Sequence, residues 1–280
     1  MRYSLKHLAE RTRFSFDECL QTAVEHKIPY IVTGRDAQIE QEALESFLDA
    51  LQTKRPIGLY PLPSLLEEPG NDAWRQVLRD IYKSKNARPA SLSPEQGQLL
   101  RALILNIAPK VIVEIGTFIG VSTLWAASAL EEIGSGKIHC IDLYQPILPF
   151  PWSNMIYIAN PAEYISKNFQ KAGLEQYIEL HAGNSHKIGQ KYSENIGEKI
   201  DFLFIDGDHT IPGAVTDFSL YAPHVVPGGY VMLHDINPEY EMDGPREILN
   251  IIRKGNSGWQ SCDIMTRPIN LGIALLRKEI

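Results

Sequence analysis

Cysteine is scarce in this sequence and never paired. The three cysteines, Cys19, Cys140 and Cys262, lie more than a hundred residues apart in a chain of 280. That spacing excludes a disulfide framework and any zinc or redox motif built on neighbouring thiols, so all three read as buried, reduced side chains. Long apolar runs are missing as well. No stretch approaches the roughly 18 consecutive apolar residues of a membrane span. The opening MRYSLKHLAERTRF is charged throughout and has no secretory apolar segment. A cytoplasmic protein with no membrane partner is expected. Excess positive charge is also lacking: 27 Lys and Arg against 34 Asp and Glu give a net charge of −7, which removes any sequence-wide attraction to nucleic acid or anionic lipid. There is no internal repeat and no low-complexity tract.

A globular composition remains, with 44% hydrophobic residues, ample for a core. The prolines of PIGLYPLPSLLEEPGN, Pro56, Pro61, Pro63 and Pro69, forbid a regular helix and mark a connector. Three regions are therefore expected: a small helical module over 1–55, a connector with one helix over 56–89, and a larger domain over 90–280. In the first, two short helices precede an apolar extended piece. The stretch DAQIEQEALESFLDALQ reads as a third helix with Ile39, Leu44, Phe47, Leu48 and Leu51 on one face. A helix-turn-helix reader of DNA would need a basic face, but residues 1–55 hold 8 Lys and Arg against 9 acids. A docking or dimerisation arm is the favoured reading, with a homodimer as the expected assembly.

Downstream, SPEQGQLLRALILNIAP opens a helix with Ser93 as N-cap, Pro94 in its first turn and Gln96 completing a capping box. The runs VIVEIG, KIHCIDL, YIELHAG, IDFLFIDG and GGYVMLHD are strand-like and are separated by stretches long enough for crossover helices. This order predicts an α/β fold: a Rossmann-like, doubly wound, mostly parallel sheet of seven strands, closed by an antiparallel C-terminal hairpin from WQSCDIMT and GIALLRK.

Ligands in such sheets gather at the carboxyl ends of the strands, and the unusual polar residues of this chain fall there. Glu114 ends the first strand, Gly116, Thr117 and Gly120 form the turn, and Ser122 opens the next helix. The turn reads Glu-x-Gly-x-x-x-Gly, which departs from the G-x-G-x-x-G that seats a diphosphate. Its wider spacing and leading acid suit a cationic, amino-acid-bearing ligand. Asp142 ends the second strand, 22 residues beyond Gly120, an offset at which an acid receives ribose hydroxyls or caps a helix. After the third strand, Gly183 and Asn184 stand where an adenine would be flanked. The fourth strand runs into FLFIDGDHT, which sets Asp206, Asp208 and His209 where an unpartnered charge is costly. Asp208 reads as a turn residue, and His209 as a base or a helix cap.

Taken in order, VIVEIGTFIG, IHCIDL, HAGNS, IDFLFIDGDH and PGGYVMLHD resemble the successive motifs of class I S-adenosylmethionine-dependent methyltransferases, over about residues 90–278. SPEQGQLL and FIDGDHTIPGAVTDFSLYAPHVVPGGYVMLHD are similar to the small-molecule O-methyltransferases, especially the branch with metal-dependent sugar methyltransferases of antibiotic pathways. The resemblance implies S-adenosylmethionine as cofactor, held by Glu114, Gly116 and Gly120 at its methionine portion and by Asp142 at its ribose. It implies a divalent cation, Mg or Mn, held by Asp206 and Asp235, with His209 as base. His234 stands where that branch has a carboxylate, and imidazole in an oxygen set shifts preference toward manganese, iron or zinc. Two stretches, the first rich in proline and aromatics, read as lids. One carries Pro146, Phe150, Trp152 and Met155, the other Glu239 and Glu241. The expected function is methyl transfer to a hydroxyl of a small metabolite, sugar or natural-product-like. Its rivals are metal-free transfer to nitrogen or carboxylate, and a regulator that senses the cofactor.

Overall fold

The computed structural model describes residues 2–12, 16–40, 42–44, 46–47, 50, 60–67, 70, 72–84, 86–87, 90–147, 157–238, 242–255, 257–265 and 271–280. It divides into two compact units, one of Met1–Tyr60 with Leu148–Tyr157 and the other of Pro61–Ile147 with Ile158–Ile280.

The N-terminal unit is not purely helical. Helices α1 (Leu5–Thr12) and α2 (Phe16–Glu25) accompany a three-stranded antiparallel sheet of order β1-β3-β2, with β1 at Arg2–Ser4, β2 at Tyr30–Thr33 and β3 at Asp36–Glu40. The third helix expected from Asp36 therefore begins later: the described residues 42–44 and 46–47 are helical, while Asp36–Glu40 is strand. The reason is pairing. Ala37 and Ile39 alternate inward with period two, Gly34 turns the chain at φ +63°, and β3 bonds to strands on both sides. Ile39 joins Leu5, Leu8, Cys19, Ala23 and Phe47 in the core of this unit. Leu48 and Leu51 lie outside the described residues.

The second unit carries a seven-stranded sheet of order β6-β5-β4-β7-β8-β10-β9. Its strands are β4 (Val111–Ile115), β5 (Lys137–Asp142), β6 (Ile178–Ala182), β7 (Ile200–Ile205), β8 (Val225–His234), β9 (Trp259–Ile264) and β10 (Ile273–Lys278). β4 to β8 run parallel, and β10 enters antiparallel between β8 and β9. The order reverses between β5 and β7, around β4, so the turns leaving these strands border a crevice at their carboxyl ends. β4 is buried along its whole length, as a central parallel strand covered on both faces must be. Cys262 corrects an expectation: it is exposed, because β9 is the sheet edge, whereas Cys19 and Cys140 are buried. No helix among the described residues is long and apolar enough to cross a membrane.

Helices α3 (Ala73–Lys83) and α4 (Pro94–Ile107) pack on α5 (Val121–Ile133), which lies against β5. The capping box at Ser93 and Gln96 forms as read. Trp125 of α5 donates its indole N–H to the Tyr82 hydroxyl at 2.9 Å, and that hydroxyl donates to the Leu92 carbonyl at 2.9 Å. Gly97 is what lets α4 approach: a Cβ there would stand 2.1 Å from the Trp125 indole nitrogen. Overpacking of this kind costs about 1–3 kcal/mol. Gly97→Ala is therefore expected to lower the thermal midpoint by several degrees. A variant that melts with the parent would show that α4 and α5 are not locked at this contact.

Candidate active site

β4 leads into the glycine turn. Gly116 takes φ +88° and its amide donates to the Ile141 carbonyl at 2.9 Å, tying the turn to β5. A Cβ on Gly116 would lie 2.2 Å from the Asp206 carbonyl oxygen, and the Asp206 amide donates to the Ile115 carbonyl at 2.8 Å. The turn therefore lies directly against the end of β7. Gly120, at φ +80°, is the N-cap of α5.

Asp142 organises the same turn from β5. Its Oδ2 accepts the amides of Thr117 at 2.9 Å and Phe118 at 3.0 Å, and its Oδ1 accepts that of Tyr144 at 2.9 Å. Oδ2 has both lone-pair directions filled while Oδ1 keeps one, so the acid can hold the turn and still accept one ribose hydroxyl. Tyr144 donates to the Cys140 carbonyl at 3.1 Å. Asn184 caps the helix α7 (Ser185–Gln190) that follows α6 (Pro161–Ala172), accepting the Lys187 amide at 3.1 Å. The carboxyl of Glu114, expected at the methionine portion of a cofactor, is turned into the protein, where it accepts from Thr123 at 2.5 Å and interacts with Ser122 and Cys140.

The acids and imidazoles meet where β7 and β8 end. His209 Nε2 lies 2.6 Å from Asp235 Oδ2 and 3.5 Å from Asp206 Oδ1. His234 Nδ1 lies 3.1 Å from Asp206 Oδ1 and 3.0 Å from Asp235 Oδ1, while its Nε2 faces Gln96 Oε1 at 3.2 Å. Burial by itself would lower both imidazole pKa values and raise that of Asp206. The close opposite charges win, so His234 and His209 are raised and Asp206 is lowered. Two carboxylates thus face two imidazolium rings, and the buried charges balance. His234 is 2% exposed at its side chain and His209 35%, so only His209 reaches open space.

Ligand atoms of Asp206, His209 and Asp235 all lie within 4.8 Å of one another. Asp235 Oδ1 and His209 Nε2 are buried without an aligned hydrogen bond, and Asp235 takes φ +61°, a conformation that costs energy and clusters at functional sites. This donor set fits a divalent cation that accepts both oxygen and nitrogen. His234, expected among the donors, faces the two acids and Gln96 instead. Gln96 escaped the sequence reading because only its capping role is local. Asp208 forms the turn expected of it, accepting the Thr210 amide at 2.9 Å. The cap of helix α8 (Ile211–Tyr221) is Thr210 and not His209. Phe150, Trp152, Met155, Glu239 and Glu241 lie outside the described residues. Pro146 is exposed, next to the bridge between Ile147 and Ile158.

Burial raises the Glu114 carboxyl to about 7, with Asp206 adding to it, against the hydrogen bonds of Ser122, Thr123 and Cys140. The folded chain therefore keeps a proton that the unfolded chain releases near 4.5. The associated stability is present below that pH and is lost as pH rises through about 7, a swing on the order of 3 kcal/mol. Glu114→Gln removes the swing. Without added cofactor, its melting temperature relative to the parent should climb from pH 5 to pH 8; a constant difference would contradict the assignment.

A family model described as a methyltransferase domain matches residues 113–236, which run from β4 through Asp206, His209 and Asp235. Among curated proteins, a catechol O-methyltransferase of Niastella koreensis is 30% identical over 118 residues, 42% of this chain and 46% of that protein. Tricin synthase 2 of Oryza sativa subsp. japonica is 26% identical over 229 residues, 76% of this chain and 71% of that protein. The chain thus spans less than half of the first relative. Among solved structures, an O-methyltransferase from Bacillus cereus in complex with SAH superposes with a TM-score of 0.60 at 20% identity, covering 77% of this chain and 94% of that one. TomG of Streptomyces achromogenes, in complex with SAM, does so with a TM-score of 0.58 at 19% identity, covering 86% and 99%. These structures share the fold. The matched methyltransferase domain holds the glycine turn and the acids at the ends of β7 and β8, and over those residues this chain is similar to methyltransferase domains.

Proposed function

We propose that this chain transfers the methyl group of S-adenosylmethionine to a hydroxyl of a small metabolite, with His209 as the base. The observation that carries the reading is the meeting of Asp206, His209 and Asp235 beside the turn at Gly116. A methyl-bearing sulfonium held by that turn and by Asp142 would sit next to a half-exposed imidazole. In the transfer the S–CH3 bond breaks as the O–CH3 bond forms, sulfur keeps the electron pair, and the hydroxyl proton passes to His209 Nδ1, the ring nitrogen that does not face Asp235. Asp235 orients the ring from 2.6 Å, and the crevice walls align the two reactants, which lowers the barrier without any further group.

Asp206 and Asp235 would hold a divalent cation. Such an ion lowers the pKa of the hydroxyl and offsets the carboxylate charge that otherwise keeps His209 protonated. The hydroxyl reading is supported by relatives named as catechol, tricin and caffeoyl-CoA enzymes and by a structural neighbour from tomaymycin synthesis.

The test measures S-adenosylhomocysteine formed from S-adenosylmethionine with catechol, caffeoyl-CoA or a sugar glycoside as acceptor. Acceptor-dependent product is expected. His209→Ala should lower kcat by about 10²–10⁴-fold and leave cofactor affinity within about threefold. Chelation by EDTA should suppress turnover, with manganese restoring it. If His209→Ala keeps parental kcat the base assignment is wrong, and EDTA-resistant turnover would remove the cation.

A further inference from the structure

Toward the β6 edge of the sheet, a second group of donors lies on the face of β5 that points away from α5. Cys140 points toward Thr123 and α5, so by strand alternation His139 points away from that helix. β5 pairs with β6 so that His139 lies opposite Glu179 and Ile141 opposite His181. Glu179 and His181, two apart on β6, therefore share a face with His139. The register brings two imidazoles and a carboxylate into contact at the sheet edge.

The proton arrangement there is directional. His139 Nε2 lies 3.2 Å from Glu198 Oε1 and its Nδ1 lies 2.9 Å from His181 Nε2. A carboxylate cannot donate, so it fixes the proton on Nε2 and leaves the Nδ1 lone pair aimed at His181. A carboxylate on one nitrogen and a free lone pair on the other is the arrangement that makes a histidine a metal ligand. Glu179 Oε1 completes the group at 3.5 Å from His181 Nε2, and Lys137 holds the other oxygen, Oε2, at 2.6 Å. These ligand atoms all lie within 4.8 Å of one another. Tetrahedral zinc, with Zn–N of about 2.0–2.1 Å, sets its two nitrogens about 3.3 Å apart. The rings here need open by only a few tenths of an ångström as the shared proton leaves. His139 is nearly fully buried while Glu179 is 44% exposed, so the ligands are fixed on one side and an ion can enter from the other.

We propose that His139, His181 and Glu179 form a second metal site, selective for zinc or a similar borderline divalent cation, with Glu198 orienting His139. An ion there would clamp β5 to the edge strand β6 three residues before Asp142. The proposal is independent of the methyl-transfer reading, since it needs no residue of that site.

The test titrates the full chain with zinc chloride by calorimetry, in an Asp235→Asn background that disables the cluster at the ends of β7 and β8. One zinc equivalent should bind. Adding His181→Gln should weaken that event at least 30-fold, and adding Glu179→Gln at a half-exposed position should weaken it about tenfold. Zinc should also raise the melting temperature of the background protein and not that of the His181→Gln form. Should His181→Gln fail to fold, Glu179→Gln decides the matter by itself. Absence of zinc uptake, or uptake of parental affinity in the folded variants, overturns the proposal.

Discussion

The contact on which the site depends is a backbone approach, made possible by a side chain that is not there. Gly116 lies so close to the Asp206 carbonyl that a Cβ would stand 2.2 Å from it. The turn leaving β4 and the end of β7 are thereby held as one surface, reinforced by the Asp206 amide bonding to Ile115. Asp142 binds the same turn from the other side through two of its backbone amides, those of Thr117 and Phe118. Strand order alone would place these ends near one another. The missing Cβ sets the distance between the glycine turn and the acids at that of direct contact.

That constraint explains why charged residues can crowd the end of an apolar strand. Asp206 and Asp235 are largely buried, and two carboxylates side by side would repel and be poorly solvated. Two imidazoles answer them. His234 lies fully inside between the acids and the Gln96 carbonyl, while His209 faces outward. The inner histidine neutralises; the outer one reaches open space. The same economy of opposed charge recurs at the edge of the sheet, where Lys137, Glu179, His181, His139 and Glu198 form a chain of contacts.

What was legible in the sequence follows from the range of the forces involved. The central strands β4 and β7 stand where nearly continuous apolar runs put them, because a central parallel strand is covered on both faces. The Ser93 and Gln96 capping box is equally local. Ile39 defeated the helical reading because its segment supports both periods, and hydrogen bonds to strands on either side decide between them. Cys262 is exposed because β9 lies at the edge, a fact of topology and not of composition. The contact of Gln96 with His234 spans 138 residues, and that of His139 with His181 spans 42. Neither pair has a sequence signal, since only strand register and helix placement bring them together.

The central claim is that the Gly116 turn and Asp142 hold a sulfonium cofactor against Asp206. Calorimetric titration of the folded chain with S-adenosylhomocysteine tests it most directly. The account predicts uptake of one equivalent, weakened tenfold or more by Asp142→Ala. No heat of binding at millimolar ligand would contradict it.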